Sequence, residues 1–310
     1  MILLTGATGF IGGAILERKL DAVVLGRSCP MGFDGKFIKH EFSVCSDYSG
    51  CFDQVSCVIH CAARVHVMSE RSYNPLQLFR DINVAGTLNF ARQAASSGVK
   101  RFVFLSSIKV NGESTAEGIK YSPNDQPDPS DPYGISKYEA EQGLKKIAEE
   151  TNMEIVIIRP VLVYGVGVKG NFASILNLIR MGVPIPLAAV NNRRSLIALD
   201  NLVDFIIHCA DFISTPQAAN EVFLISDGED ISTLELIRRV GNAFQKRPVI
   251  FSIPLFLLRF GAIFFGKQKT IERLLGSLQV DSSKARNLLS WKPVITMDEQ
   301  LKKMADAFIE

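Results

Sequence analysis

The chain has 310 residues, 47% of them apolar, enough for a sizeable buried core and too apolar for a disordered segment. Its 34 Lys and Arg stand against 32 Asp and Glu, so no global field recruits nucleic acid, which is not expected as a partner. Six cysteines, at positions 29, 45, 51, 57, 61 and 209, form no CxxC pair and meet no His pair spaced for zinc, which excludes a disulfide-built miniprotein and a metal centre and fits reduced thiols in a cytoplasm.

The first apolar run, 2–4, reads as a buried strand at the very start of the chain, so no signal peptide is expected and the location is predicted cytoplasmic. Further strands are predicted at 23–25, 36–38, 57–61, 102–106 and 155–159, with helices at 10–20, 76–97 and 133–151 between them. Strands alternating with helices predict an α/β fold with a doubly wound parallel sheet. After Pro160 the alternation breaks into Gly and Pro punctuation, with helices expected at 172–181, 201–209 and 233–245. The domains are therefore read as a dinucleotide-type domain over 1–165, with a return around 195–215, and a smaller interleaved substrate lobe over 166–310. The run 249–266 is strongly apolar but holds Pro254, Arg259 and Gly261. It reads as a packed helix or a dimer-forming surface, or else as a segment touching a membrane surface.

Thr5-Gly6-Ala7-Thr8-Gly9-Phe10-Ile11-Gly12 follows the first strand and opens the first helix. Glycine lets backbone approach a pyrophosphate, and a helix N-terminus offers N–H donors and a favourable dipole, which makes this a Rossmann-type loop. Gly6, Thr8, Gly9, Phe10, Ile11 and Gly12 are its expected cofactor contacts. The second strand ends Leu25-Gly26-Arg27, without the carboxylate that accepts bonds from an NAD ribose. Arg27 could instead pair with a 2′-phosphate or lie solvated, so NAD and NADP both stay open.

Tyr133-Gly134-Ile135-Ser136-Lys137 opens a helix, placing Tyr133 and Lys137 a turn apart on one face. A nearby ammonium favours phenolate, so Lys137 is expected to draw Tyr133 towards acid–base service near neutrality and to hold ribose hydroxyls. The strand 102–106 runs into Ser106-Ser107, and Ser107 is the expected partner of the same substrate oxygen.

The chain resembles the extended short-chain dehydrogenase/reductases, in the branch of UDP-sugar 4-epimerases and 4-keto reductases. The resemblance spans nearly the whole chain and rests on TGATGFIG at 5–12, HCAAR at 60–64, Asn83 within DINVAGT, LSSIKVNG at 105–112, YGISK at 133–137, RPVLVYG at 159–165 and RRSLIALDNLVD at 193–204. It implies Ser107, Tyr133 and Lys137 as the catalytic set, Ala62, Ala63, Asn83 and Pro160 along the dinucleotide, and Asn171 and Arg194 on the UDP moiety. Arg194 also suits a diphosphate because its planar donors reach two oxygens, and Arg273 is a second phosphate candidate. The family's 4,6-dehydratases carry Asp-Glu where Ile108 and Lys109 stand here, which argues against dehydration and leaves chemistry at C4.

Within that branch the chain resembles O-antigen and capsule enzymes that reduce a UDP-4-keto-6-deoxy-N-acetylhexosamine, and Gly26 and Arg27 tilt the expectation towards net reduction as well, with a UDP-glucose or UDP-N-acetylglucosamine 4-epimerase as the alternative. Leu278 falls where many glucose/galactose epimerases carry a Tyr, so an N-acetyl group could fit. A polyprenyl-diphosphate-sugar 4-epimerase is a third reading, suggested by the apolar run. A silent dinucleotide sensor is the reading of another class, and retention of Ser107, Tyr133 and Lys137 argues against it. The resemblance further implies a homodimer.

Overall fold

The computed structural model describes residues 1–65, 74–264, 266 and 268–308. In chain order its strands are β1 (Ile2–Thr5), β2 (Ala22–Gly26), β3 (Phe37–Lys39), β4 (Cys57–His60), β5 (Arg101–Leu105), β6 (Glu154–Pro160), β7 (Leu162–Tyr164), β8 (Arg194–Ala198), β9 (Val222–Ile225) and β10 (Asp230–Ile231). A large sheet runs β3-β2-β1-β4-β5-β6-β9 with every neighbouring pair parallel. A small sheet runs β10-β8-β7.

The helices are α1 (Phe10–Leu16), α2 (Pro75–Phe79), α3 (Thr87–Ser96), α4 (Pro132–Glu150), α5 (Gly170–Arg180), α6 (Leu199–Ala210), α7 (Thr233–Ala243), α8 (Leu255–Phe264), α9 (Gln268–Leu275), α10 (Ser283–Leu289) and α11 (Met297–Asp306). The large sheet is covered on both faces, which is why its strands are apolar without alternation. Leu3 joins Phe90 and Ala91 of α3 and Leu144 of α4 on one face, while Leu4 joins Ile15 of α1 and Phe205 of α6 on the other.

From β1 the chain moves out through β2 and β3, then returns to β4 on the other side of β1. This reversal opens a crevice at the carboxyl ends of β1 and β4, the position where such sheets bind ligands. The register Thr5↔His60, His60↔Phe104 and Leu105↔Ile158 brings the segments after β1, β4, β5 and β6 to that one edge.

Three expectations need correction. The first helix stops at Leu16 rather than residue 20, because Lys19 turns left-handed at φ 52°. The helix expected over 76–97 is interrupted: between α2 and α3, Arg80–Gly86 is π-helical, and Asn83 within it is buried. The return to the large sheet also extends beyond 195–215. β9 forms its edge, and Ala285, Leu289 and Trp291 pack into the same cluster as Phe205 and Phe223. Buried Arg101 ties these parts together, donating to the Cys209 carbonyl at 2.8 Å and the Thr215 hydroxyl at 2.9 Å while pairing with Glu154 at 2.7 Å.

The smaller lobe has its own core, where Phe172 and Leu176 of α5, Leu236 and Ile237 of α7, and Leu301 and Met304 of α11 meet Leu196 of β8. The apolar run 249–266 is not one helix. Ile250 bridges to Ile185, Pro254 breaks the strand-like segment, and α8 follows with Leu255 and Leu258 packed on that core.

Candidate active site

Gly6 has φ 75°, a left-handed conformation that glycine adopts without a Cβ clash, and a Cβ there would stand 2.6 Å from the Ala62 nitrogen. A Cβ at Gly12 would collide with the Gly6 carbonyl oxygen, so the loop and the first turn of α1 fit together only as glycine. Gly9 caps α1 with no side-chain hydrogen bond, and no acidic residue lies in its first turn. The N-terminus of α1 is thus shaped and polarised for an anion.

Beneath the loop, the Thr5 hydroxyl accepts from the Ala62 nitrogen at 3.2 Å and lies 2.9 Å from His60 Nδ1, whose Nε2 is 3.1 Å from the Thr87 hydroxyl. Burial, aided by the charge of Lys137, pushes His60 from 6.5 down to about 3, so the ring is neutral in the folded protein. Between those values the unfolded chain holds the extra proton, so stability rises with pH and is lost as pH falls below the unfolded value. His60 is expected to remove about 2 kcal/mol between pH 7 and pH 5, and His60→Gln to flatten that slope in urea unfolding curves. An unchanged slope would rule out His60 as the source.

Asn83 is buried, its Oδ1 accepting from the Arg64 nitrogen at 2.7 Å and its Nδ2 donating to the Arg64 carbonyl at 3.1 Å and the Ser136 hydroxyl at 3.0 Å. Asn83, expected along the dinucleotide, therefore has both side-chain polar atoms engaged with protein, joining the segment after β4 to α4. Arg27 is exposed, and among the described residues it makes no hydrogen bond or ion pair; a Cβ added at Gly26 would meet open space.

α4 begins sharply because Asp131 Oδ1 accepts from the Gly134 nitrogen at 2.7 Å and Pro132 fills the first turn. Lys137, one turn beyond Tyr133, donates to the Leu105 carbonyl at 2.8 Å, with its Nζ 4.4 Å from the Phe104 ring centroid and 5.9 Å from that of Tyr133. Burial lowers Lys137 to about 8. Tyr133 moves opposite to expectation: burial first, then the Asp131 carboxylate, raise it above the usual phenol value. The ammonium is drawn towards the Leu105 carbonyl instead of the phenol, which is why Lys137 does not offset desolvation in the free chain.

The two serines after β5 separate cleanly. The Ser106 hydroxyl donates to Glu141 Oε1 at 2.5 Å in the interior, where Glu141 also takes Arg159 Nη2 at 2.5 Å and Nε at 2.9 Å. Ser107 stays partly exposed, accepts from the Lys109 nitrogen at 3.3 Å and lines a cavity of about 300 Å³. Pro160, Arg194, Arg273 and Leu278 line the same cavity, so residues 171 positions apart along the chain meet at one wall.

Arg194 is held there by two bonds from Nη1, to the Arg273 carbonyl at 2.6 Å and the Gly276 carbonyl at 2.9 Å; burial and the neighbouring Arg273 lower its pKa. Arg273 pairs with Glu113 at 2.7 Å, and Lys109 bonds Asp131, whose carboxyl lies 3.8 Å from Arg273. Sequence reading missed Glu113, Asp131 and Glu141. The spacing of Tyr133, Lys137 and Glu141, four residues apart on α4, is a signal that could have found the last. The side chain of Asn171, in the first turn of α5, lies outside the described residues.

Residues 2–225 match the NAD dependent epimerase/dehydratase family. The chain belongs to that family. A relative over its whole length is the UDP-glucose 4-epimerase of Vibrio cholerae, 43% identical over 316 residues, covering 100% of this chain and 95% of that protein. The N-acetyl-alpha-D-glucosaminyl-diphospho-ditrans,octacis-undecaprenol 4-epimerase of Escherichia coli O157:H7 is 26% identical over 85% of this chain and 78% of its own length. In fold the enzyme is similar to MoeE5 solved with UDP-glucose and NAD, at TM-score 0.78 and 21% identity over 99% of this chain and 98% of that one. It is likewise similar to the UDP-N-acetylglucosamine 4-epimerase from Bacillus cereus, at TM-score 0.73 and 18% identity over 100% and 99% of the two chains.

As a member of this family the chain is an NAD-dependent enzyme. Its residues fit that cofactor: a glycine cradle that excludes Cβ atoms, an α1 N-terminus without acidic residues, and buried Lys137 beside Tyr133 at the neighbouring strand end.

Proposed function

We propose that the enzyme is a 4-epimerase of UDP-linked hexoses, acting on UDP-glucose or its N-acetylated counterpart. The observation that carries this reading is the 43% identity to a UDP-glucose 4-epimerase over the whole chain, joined to a cavity whose wall holds Ser107 and two arginines. It favours epimerisation over the expected 4-keto reduction, which rests on a resemblance to UDP-4-keto-sugar reductases and on Gly26 and Arg27. Arg27 is an exposed cation without a partner among the described residues, a weak basis for choosing a reaction.

Bound NAD supplies the acceptor and donor of hydride at C4. The chain supplies the rest. Tyr133 takes the proton from the 4-hydroxyl and returns it, Ser107 holds that oxygen by a hydrogen bond, and Lys137 stabilises the phenolate when it forms. Arg194 grips the diphosphate, with Arg273 as its neighbour. Ile108 is buried and Lys109 is bonded to Asp131, so neither position offers a carboxylic acid–base pair for dehydration. Leu278, buried in the cavity wall, supports room for an N-acetyl group.

The test is to denature purified enzyme, identify the released dinucleotide and assay UDP-glucose, UDP-N-acetylglucosamine and a UDP-4-keto-6-deoxy sugar in parallel. Released NAD with gluco/galacto interconversion is expected. Steady NADPH oxidation by the keto sugar without interconversion would replace this reading with the reductase. Cofactor binding without turnover of any of the three would replace it with the sensor.

A further inference from the structure

We propose that α8 is a membrane-surface anchor that seats the enzyme on an anionic phospholipid bilayer. Apart from Arg259, α8 is apolar throughout, a pattern expected of a helix surrounded by protein, yet most of its large side chains are exposed. Leu255 and Leu258 pack on the small-lobe core and Ala262 is buried. Phe256, Phe260 and Ile263, at the i, i+4, i+7 spacing of one helical face, are 67%, 71% and 60% exposed. Leu257 on the same helix, and Val249 and Phe251 shortly before it in the chain, are exposed as well. Scattered exposed apolar residues are ordinary, but large aromatic ones gathered on one short helix mark a contact surface.

Charge decides which surface. Residues 236–271 carry Lys or Arg at 238, 239, 246, 247, 259, 267 and 269 and no Asp or Glu, although Arg239 pairs with Glu229 and Glu235, and Arg259 with Glu272, from outside that stretch. Lys246 and Arg247 are exposed and make no ion pair among the described residues. Exposed aromatic residues flanked in the chain by Lys246 and Arg247 match the chemistry of an anionic headgroup layer, where rings enter the acyl boundary and cations meet phosphate. A second copy of this chain would bring the same cations against one another. Among the described residues no helix is long and apolar enough to cross a bilayer, so α8 lies in the interface.

The placement reaches the cavity. Arg259 of α8 pairs with Glu272 of α9 at 3.2 Å, and the next residue, Arg273, lines the cavity wall. Docking through α8 therefore sets the substrate cavity one helix away from the lipid phase. This inference stands whichever sugar the enzyme takes.

The test uses the full chain without substrate, sedimented with vesicles of phosphatidylcholine alone or equimolar with phosphatidylglycerol. Wild type is expected to sediment with the mixed vesicles, and less with phosphatidylcholine or in high salt. The double variant Phe256→Ser/Phe260→Ser is expected to lose about tenfold or more in partitioning, and Lys246→Glu/Arg247→Glu about tenfold. Both should keep the wild-type unfolding midpoint, since the four side chains are exposed. Failure of wild type to sediment, or equal binding to neutral vesicles, would overturn the proposal. Sedimentation velocity separates the remaining alternative: if the Phe variants dissociate an oligomer and vesicle binding is nil, a second copy covers α8 and the bilayer does not.

Discussion

Tyr133→Phe is expected to lower kcat by about a thousandfold while leaving KM for the sugar nucleotide and dinucleotide binding nearly unchanged. The substitution removes one oxygen and keeps the ring, whose packing against Phe79 at 6.2 Å between centroids supports the start of α4. Such a loss marks an interaction made at the reacting proton rather than in ground-state binding. Retention of activity within about tenfold would move the proton route to another group.

The charge state of this pair adds a second readout. In the free chain Lys137 sits near 8 and Tyr133 above its usual value, so on raising the pH the lysine gives up its proton before the tyrosine. The nicotinamide ring of an oxidised dinucleotide is cationic although the whole molecule is anionic, and when bound it should move the Tyr133 titration downward. Ultraviolet difference titration of wild type against Tyr133→Phe reads that movement. A Tyr133 titration already below the ordinary phenol value in the free chain would contradict the desolvation argument.

Glu141→Ala is expected to destabilise the enzyme by about 3–5 kcal/mol, the effect of stranding a buried charge. Arg159 is 2% exposed and would keep only Asn111 Oδ1 at 2.9 Å, while the Ser106 hydroxyl would lose its acceptor. The double variant Glu141→Leu/Arg159→Met removes both charges and should recover most of that stability, since well-packed apolar pairs often match buried ion pairs. Urea unfolding of both singles and the double completes the cycle.

Activity then separates two roles. Glu141 lies on α4 one turn past Lys137 and fixes Ser106, next to Ser107, to that helix. If the pair holds α4 and the end of β5 in catalytic register, the double variant regains stability but keeps a kcat reduced by about tenfold or more. Full kcat in a restored fold would show that the pair serves stability alone.

Much of this architecture was legible locally. Apolar strand runs followed by the glycine loop specify a parallel sheet with an anion-binding edge, because both depend on neighbours a few residues apart. Tyr133 and Lys137 share a helix face for the same reason. The π-helical segment was not legible: Leu76, Phe79, Phe90 and Ala94 keep an apolar spacing that reads as one helix. The π-helical insertion is instead accompanied by tertiary bonds from Asn83 to Arg64 and Ser136. The apolar segment 249–266 showed its composition but not its exposed face, which depends on which side the small-lobe core takes up.

By itself the sequence determined the fold class, pointed to a glycine loop at a helix N-terminus and to Ser107, Tyr133 and Lys137 as candidates, and carries no carboxylates at 108 and 109. Only the tertiary structure decided that Ser107 rather than Ser106 faces the cavity, that Arg194 and Arg273 reach it from distant segments, and that Tyr133 is raised rather than lowered. The physical reason is range. Periodicity and turn chemistry act over a few residues, whereas desolvation and ion pairing depend on groups such as Glu113 and Arg273, which stand 160 residues apart in the chain and 2.7 Å apart in the fold.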